Sequence, residues 1–435
     1  MSTSNFGKRT IVNMFFAMFV QAMIALAFDA GGIVSGTIAQ VAMNTQQVKW
    51  ILLMYGPLLA ARGDIAVLSG KLGTGLHLGT VKPTFRNNTK IYKSLVASTL
   101  TIAMLDAFLV GIICYIMNLI IFEEGIRVLN PLLFFVIPLI VMSIAALIST
   151  QITSAVSFFT YKKGLNPDVY VIPVMSTVNN ILITSIFAGV LAILRPWGEL
   201  TILPSGEEVL AVANNGSDLL ATYIGIIPAI LALAGIIFVI IKNRKDHEYK
   251  KMMKEAVFAV FASAIIGTIT GFTLSKGELA LEEFPQLLVA FPALIGTVVD
   301  QTSITANILI TDFSAGITEP SLKSIKKPKV WTTFAGIAAG GVVITALLSV
   351  IGSFITWNQT ETKWHLVIVI IVTVLAGIIA YAFVGSLIFA LSIFAFKREI
   401  DPDNFAIPLA ACLADLATAG LIILFSFAML LPLIH

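Results

Sequence analysis

Asp29, Asp64, Asp106, Asp300 and Asp415 stand inside long apolar stretches of the sequence, and Arg62 is the one basic residue placed the same way. A carboxylate at the bilayer centre costs about 2.5–3.5 kcal/mol on insertion scales, so it faces a cavity or a partner rather than lipid. After Asp300, Ser303 and Asn307 continue a polar stripe at helical spacing. Such a stripe inside a membrane span marks a helix contact or a wet path. Asp415 follows Pro408 by seven residues, two helical turns along one face, with the small Ala411 and Ala419 four residues to either side. The residue standing likewise after Pro173 is Asn180. Carboxylates, amides and hydroxyls without imidazole or thiolate suit hard cations, Mg²⁺ or Ca²⁺ first. The candidate ligands are therefore Asp415, Asp300, Asp64, Asn180, Ser303 and Asn307. Arg62, Asp29 and Asp106 are candidates for a coupling role or for supporting the ligands. Arg62 and Asp64, two residues apart, do not face each other on a regular helix. Arg62 is expected to pair with Asp64 or with a carboxylate on another helix.

The elements that must position these residues are set by composition. The chain has 435 residues, of which 58% are hydrophobic and only 12% charged, against about 25% charged in soluble domains. A water-soluble fold this apolar could not cover its surface, which nearly excludes a soluble enzyme. Cys114 and Cys412 sit in apolar runs, and His77, His247, His365 and His435 fall in loops, at a span edge or at the terminus. No metal-hydrolase motif or serine–base pattern is present, and an intramembrane enzyme is not expected. No cofactor and no nucleic-acid partner are expected either.

A bilayer core of about 30 Å needs about 20 apolar residues per helix. Windows between charge clusters predict eleven spans, at 10–43, 49–70, 94–121, 130–160, 168–194, 220–241, 255–275, 286–311, 331–357, 365–396 and 404–434. The first is too long for one straight helix, and Gly31-Gly32 just after Asp29 is the expected break. With the N-terminus inside, cytoplasmic segments carry 21 of the 27 basic residues and outer segments five. That bias predicts a cytoplasmic N-terminus, an outer C-terminus and an odd span count, in the cell membrane.

Two segments repeat. Asn166-Pro167-Asp168-Val169-Tyr170-Val171-Ile172-Pro173 resembles Asp401-Pro402-Asp403-Asn404-Phe405-Ala406-Ile407-Pro408 at an offset of 235. Pro57 meets Pro292 at the same offset, Asp64 meets Asp300 at 236, and Gly79 and Pro83 meet Gly316 and Pro320 at 237. Spans 1–5 and 7–11 thus read as copies of a five-helix unit. Five is odd, so span 6 is what lets both copies enter the membrane in the same sense. The expected architecture is an all-α polytopic membrane protein with a pseudo-twofold axis along the membrane normal. Residues 1–194 form the first unit, 195–254 the outer loop, linking helix and basic loop, and 255–435 the second. A monomer of this kind is a fused pseudo-dimer.

At these residues the chain resembles the MgtE-type magnesium transporters, and more closely solute carrier family 41, whose chain carries two such units. Pro57-Leu58-Leu59-Ala60-Ala61-Arg62-Gly63-Asp64 is similar to the family's Pro-Leu-Leu…Lys-Gly-Asn stretch, and the two Pro-Asp…Ile-Pro segments are similar to its Asp-Pro-Asp-Asn…Ile-Pro…Gly-Asp stretch. The resemblance implies a cation path between the second and fifth helices of the two units. It carries the family's ion-binding aspartate onto Asp415 and, in the first copy, onto Asn180. The family's second-helix asparagine falls on Asp64 and Asp300. Formal charge along the path is thereby redistributed. Regulation by the soluble sensor domains of bacterial relatives is not expected.

The function implied is divalent cation transport, Mg²⁺ first, by a channel-like route. Two charges crossing an inward-negative potential gain about 4.6 kcal/mol per 100 mV, from 2.3 per charge. The alternatives are exchange against Na⁺ or H⁺, which would permit efflux, and transport of another divalent cation.

Overall fold

The computed structural model describes residues 3–42, 49–122, 128–164, 167–194, 200–202, 208–210, 216–314, 316–357, 364–398 and 402–434. The first predicted span is two helices, α1 (Thr3–Leu26) and α2 (Gly31–Ala42), joined by a 3-10 turn at Ala27–Ala30 that carries Asp29. The break falls at the glycine pair, as expected. The second span is broken too, into α3 (Lys49–Ala60) and α4 (Arg62–His77), with Ala61 between them. Pro57 lies inside α3 and has no N–H to give. Sequence reading expected one helix there, ending at 70.

The remaining spans follow their windows. They are α5 (Lys90–Ile121), α6 (Pro131–Lys162), α7 (Pro167–Leu194), α8 (Gly216–Asn243) and α9 (His247–Lys276). After a short α10 (Glu278–Glu283) come α11 (Pro285–Ser314), α12 (Pro328–Ile355), α13 (Trp364–Lys397) and α14 (Pro402–Ile434). Local chemistry sets several ends. Thr89 caps α5 through Tyr92 N, Asn130 caps α6 through Leu132 N, and Asp246 caps α9 through Tyr249 N. Gly79 and Gly316, matched in the repeat, both take positive φ (70° and 68°) just after α4 and α11, a conformation glycine adopts without steric cost. The loop between α7 and α8 adds a small hairpin, β1 (Leu200–Ile202) against β2 (Glu208–Leu210). That is a minor departure from an all-α chain.

Among the described residues, ten segments are long and apolar enough to cross a membrane, and Trp50–Ala60, within α3, is apolar but shorter. Burial sorts the spans. The α11 span is 94% buried, whereas that of α8 is 11% buried. So α11 is central, and α8 lies at the rim with Ile227, Leu231 and Phe238 turned outward. An outward apolar face is what lipid requires.

The two units interlock. Helices α1 and α2 pack on α12 and α11, while α9, the first helix of the second unit, packs on α3 and α5. Each unit's first span thus lies against the second and third spans of the other. The contact is made by glycines. A β-carbon at Gly32 would lie 2.6 Å from the Ala293 backbone, and one at Gly36 would collide with the Val289 carbonyl. A β-carbon at Gly267 would lie 2.9 Å from Pro57 Cα, and one at Gly271 would collide with the Leu53 carbonyl. Gly32 and Gly36 stand 235 residues before Gly267 and Gly271, the repeat offset. Without a hydrophobic drive between helices in lipid, such small-residue faces let backbones close in and gain dispersion contacts.

Candidate functional site

Helices α4, α7, α11 and α14, the second and fifth spans of both units, meet at the centre. The two broken spans deliver their breaks to this place. Asp29 enters on the turn between α1 and α2, and Arg62 opens α4. Discontinuous helices are where membrane proteins expose backbone and charge to a ligand without facing lipid.

Arg62 is the hub. Its Nη2 donates to Asp415 Oδ1 at 2.7 Å and its Nη1 donates to Asn180 Oδ1 at 2.8 Å. Asn180 Nδ2 donates in turn to the Pro292 carbonyl at 3.2 Å. Arg62 is 2% exposed, and Asn180 and Asp415 are 1% exposed. Two fifth-span residues at matched repeat positions thus hold one guanidinium between them. Around Asn180, Ser35 Oγ donates to the Asn180 carbonyl at 3.0 Å, Ser35 and Thr184 share a hydrogen bond of 2.6 Å, and Thr184 bonds the Tyr55 hydroxyl at 3.0 Å. These bonds fix α7 against α2 and α3.

Asp300 faces Asp29, beside Ser176 and Thr297. Asp29 is 1% exposed and Asp300 is fully buried. No hydrogen bond of ordinary geometry reaches either oxygen of either carboxylate, nor Asp415 Oδ2, nor Ser176 Oγ. A cavity of about 30 Å³ opens on Asp300, lined also by Arg62, Gly63, Gly70, Ser176, Ser303 and Ala411. About 10–15 Å³ of such space admits one water, so the cavity holds about two.

Of the residues singled out in the sequence, the structure brings Asp300, Ser303 and Arg62 to the cavity, and Asp415 and Asn180 to Arg62. Asp29, which had no evident acidic counterpart, stands at Asp300. Asn307 is half-buried on α11 and outside the cavity lining. Asp106 is buried on α5 and does not line the cavity. The side chain of Asp64 lies outside the described ones. Of the two partners weighed for Arg62, the carboxylate on another helix is present, as Asp415, and pairing with Asp64 rests on a side chain outside the described ones.

Ser176 escaped the sequence reading, although it lies one turn before Asn180 on the same face. The glycine pairs that bring the units together escaped it too. Their signal was the repeat offset itself, with Gly-x-x-x-Gly at 32–36 and again at 267–271.

Comparison with known proteins agrees with this geometry. A family model described as MgtE, divalent cation transporter, matches residues 56–190 and 291–427, one segment in each unit and well over half of the chain. Both segments span the second to fifth helices, those that build the central site. No match was found among curated proteins or solved structures. The chain is an integral membrane protein built of two fused repeats, and it belongs to the MgtE family of divalent cation transporters.

Proposed function

We propose that this chain carries Mg²⁺ across the cell membrane, passively and inward, along the seam between α4 and α7 of one unit and α11 and α14 of the other. The observation that carries this reading is the cavity at Asp300, which is small and mostly apolar, with Asp300, Ser176, Ser303 and the Arg62 guanidinium as its polar side chains. A hard cation that keeps part of its water shell needs few protein ligands, and Asp300, Ser303 and Asp415 supply them. In this reading Arg62 holds the passage shut, because its guanidinium, hydrogen-bonded to Asp415, occupies the place a cation would take. Ion passage therefore requires that pair to part. An arriving divalent ion offers Asp415 two charges in exchange for one, which offsets the loss of the guanidinium.

The N-terminus faces the cytoplasm in this reading, which the bias of basic residues supports. The test is Mg²⁺ uptake into proteoliposomes under an inward-negative potential, wild type against Asp415→Ala. Uptake is expected in the wild type and is expected to fall at least about tenfold in the variant. Equal uptake in both would remove Asp415 from the path. Exchange against Na⁺ or H⁺ is the competing reading. Electrogenic uptake in sodium-free vesicles with no pH gradient excludes it, and uptake that demands either gradient establishes it.

A further inference from the structure

We propose that Asp29 and Asp300, with the hydroxyl of Ser176, form a divalent cation site of their own, separate from the Arg62–Asp415 pair. The proposal rests on the transport reading for its ligand class, but its geometry stands apart. Asp29 belongs to the break in the first span and Asp300 to the most buried helix of the second unit. Both carboxylates are at least 99% buried, and no hydrogen bond of ordinary geometry reaches any of their four oxygens, although the two stand close enough to interact with each other and with Thr297 and Ser176. Ser176, 93% buried, likewise makes no hydrogen bond of ordinary geometry through Oγ, stands beside Asp300 and lines the cavity onto which Asp300 opens. Two like charges side by side in a dry interior repel each other and lack solvation, unless they share a proton or a positive group stands between them.

Arg62 lines the same cavity and its charge reaches both carboxylates, but it donates no hydrogen bond of ordinary geometry to either. Its two amino nitrogens are taken by Asn180 and Asp415. Among the described side chains of the site, Asp29, Asp300 and Asp415 carry three negative charges when ionised and Arg62 one positive, which leaves two negative charges. The Arg62–Asp415 pair is self-neutralising, so the remainder resides on Asp29 and Asp300. One divalent cation cancels it. The site is also built for close approach. A β-carbon at Gly296 would lie 3.1 Å from Asp29 Oδ1 and 3.6 Å from Asn180 Nδ2, so the bare surface of α11 is what lets Asp29 stand beside it. Oxygen donors with room for about two waters suit a small hard ion such as Mg²⁺ or Mn²⁺.

Mn²⁺ titration of the purified full chain in nanodiscs, followed by loss of the free-ion EPR signal and reversed by Mg²⁺, reads the site directly. D29N and D300N are each expected to weaken Mn²⁺ binding at least about tenfold, and Ser176→Ala about threefold. D312N, whose carboxylate pairs with Lys329 at the end of α11, is expected to bind as wild type does. Wild-type affinity in D29N or D300N overturns the site. Should those two variants fail to fold, as judged by gel filtration and melting, Ser176→Ala decides, because it keeps both carboxylates. Unchanged affinity there overturns the site and a severalfold loss upholds it. Flux is read separately. A chain that binds Mn²⁺ through Asp29 but carries no ion ends the transport reading and leaves the site standing. A chain that transports while D29N binds normally does the reverse.

Discussion

Arg62, the first residue of α4, donates through Nη2 to Asp415 Oδ1 on α14 at 2.7 Å, across 353 residues of chain. This bond ties the second span of one unit to the fifth span of the other, in an interior where both side chains are nearly fully buried. The same guanidinium donates to Asn180, the residue that occupies Asp415's place in the first unit. A pseudo-symmetric site thereby becomes chemically asymmetric. One side offers a full charge and the other an amide, and one cation already stands between them.

Breaking this pair should cost more than removing it. Asp415→Asn or Arg62→Met alone leaves a buried charge without its partner, a loss of about 3–5 kcal/mol. The double variant leaves neither member of the pair without its partner and should be more stable than either single one. Thermal melting in nanodiscs measures this. Additive losses in the double variant would show that the two residues do not act as a pair.

Asn180→Asp should tighten divalent cation binding by severalfold. The new carboxylate keeps an acceptor for Arg62 and gives up the donation to the Pro292 carbonyl. It also adds a negative charge opposite Asp415, so that Arg62 no longer balances its neighbours. The Mn²⁺ titration reads the change, and weaker binding would mean that the lost amide bond outweighs the added charge.

The glycine faces should tolerate no side chain. Gly36→Ala places a methyl group against the Val289 carbonyl and Gly271→Ala against the Leu53 carbonyl. Neither backbone can yield without moving a helix, so each variant should lose about 1–3 kcal/mol of stability. At Gly235, on lipid-facing α8, a β-carbon meets nothing within 4 Å, and Gly235→Ala should melt at or above the wild-type temperature. Equal melting of all three would refute close packing of the first spans on the opposite units.

Orientation is open to a labelling test. Cys114 and Cys412 are both buried, so an impermeant maleimide reports on an introduced thiol. Lys245, in the turn after α8, and Lys276, at the end of α9, are both exposed. Lys245→Cys should label only from the cytoplasmic side and Lys276→Cys only from outside. The opposite pattern would invert the topology and the direction of the basic bias.

Much of the architecture was legible because its causes are local. A helix that must cross about 30 Å of hydrocarbon announces itself by about 20 apolar residues in a row. The repeat showed in paired prolines, and the matched glycines at 79 and 316 take the same left-handed turn. The break at Gly31-Gly32 was visible for the same reason. The break at Ala61 was not, since Pro57 lies four residues earlier, and a single proline shifts a helix without fixing where it yields. Asn307 shares a helical face with Asp300 but leaves the cavity, because spacing along one helix says nothing about where a cavity between four helices ends.

The sequence by itself determined a membrane protein of two like-oriented units with acidic residues inside the bilayer, because hydropathy, charge bias and repeat offset are properties of the chain taken in order. It also singled out Asp300 and Asp415 on the basis of insertion cost. Only the tertiary structure decided what each charge faces. Arg62 could have answered any of several carboxylates, and among the described ones it holds that of Asp415, 353 residues away. Asp29 met Asp300 because Gly32 and Gly36 let the first span dock on the opposite unit. Electrostatic pairing in a dry interior depends on a few ångströms between different helices, and the order of residues along one chain does not encode that distance.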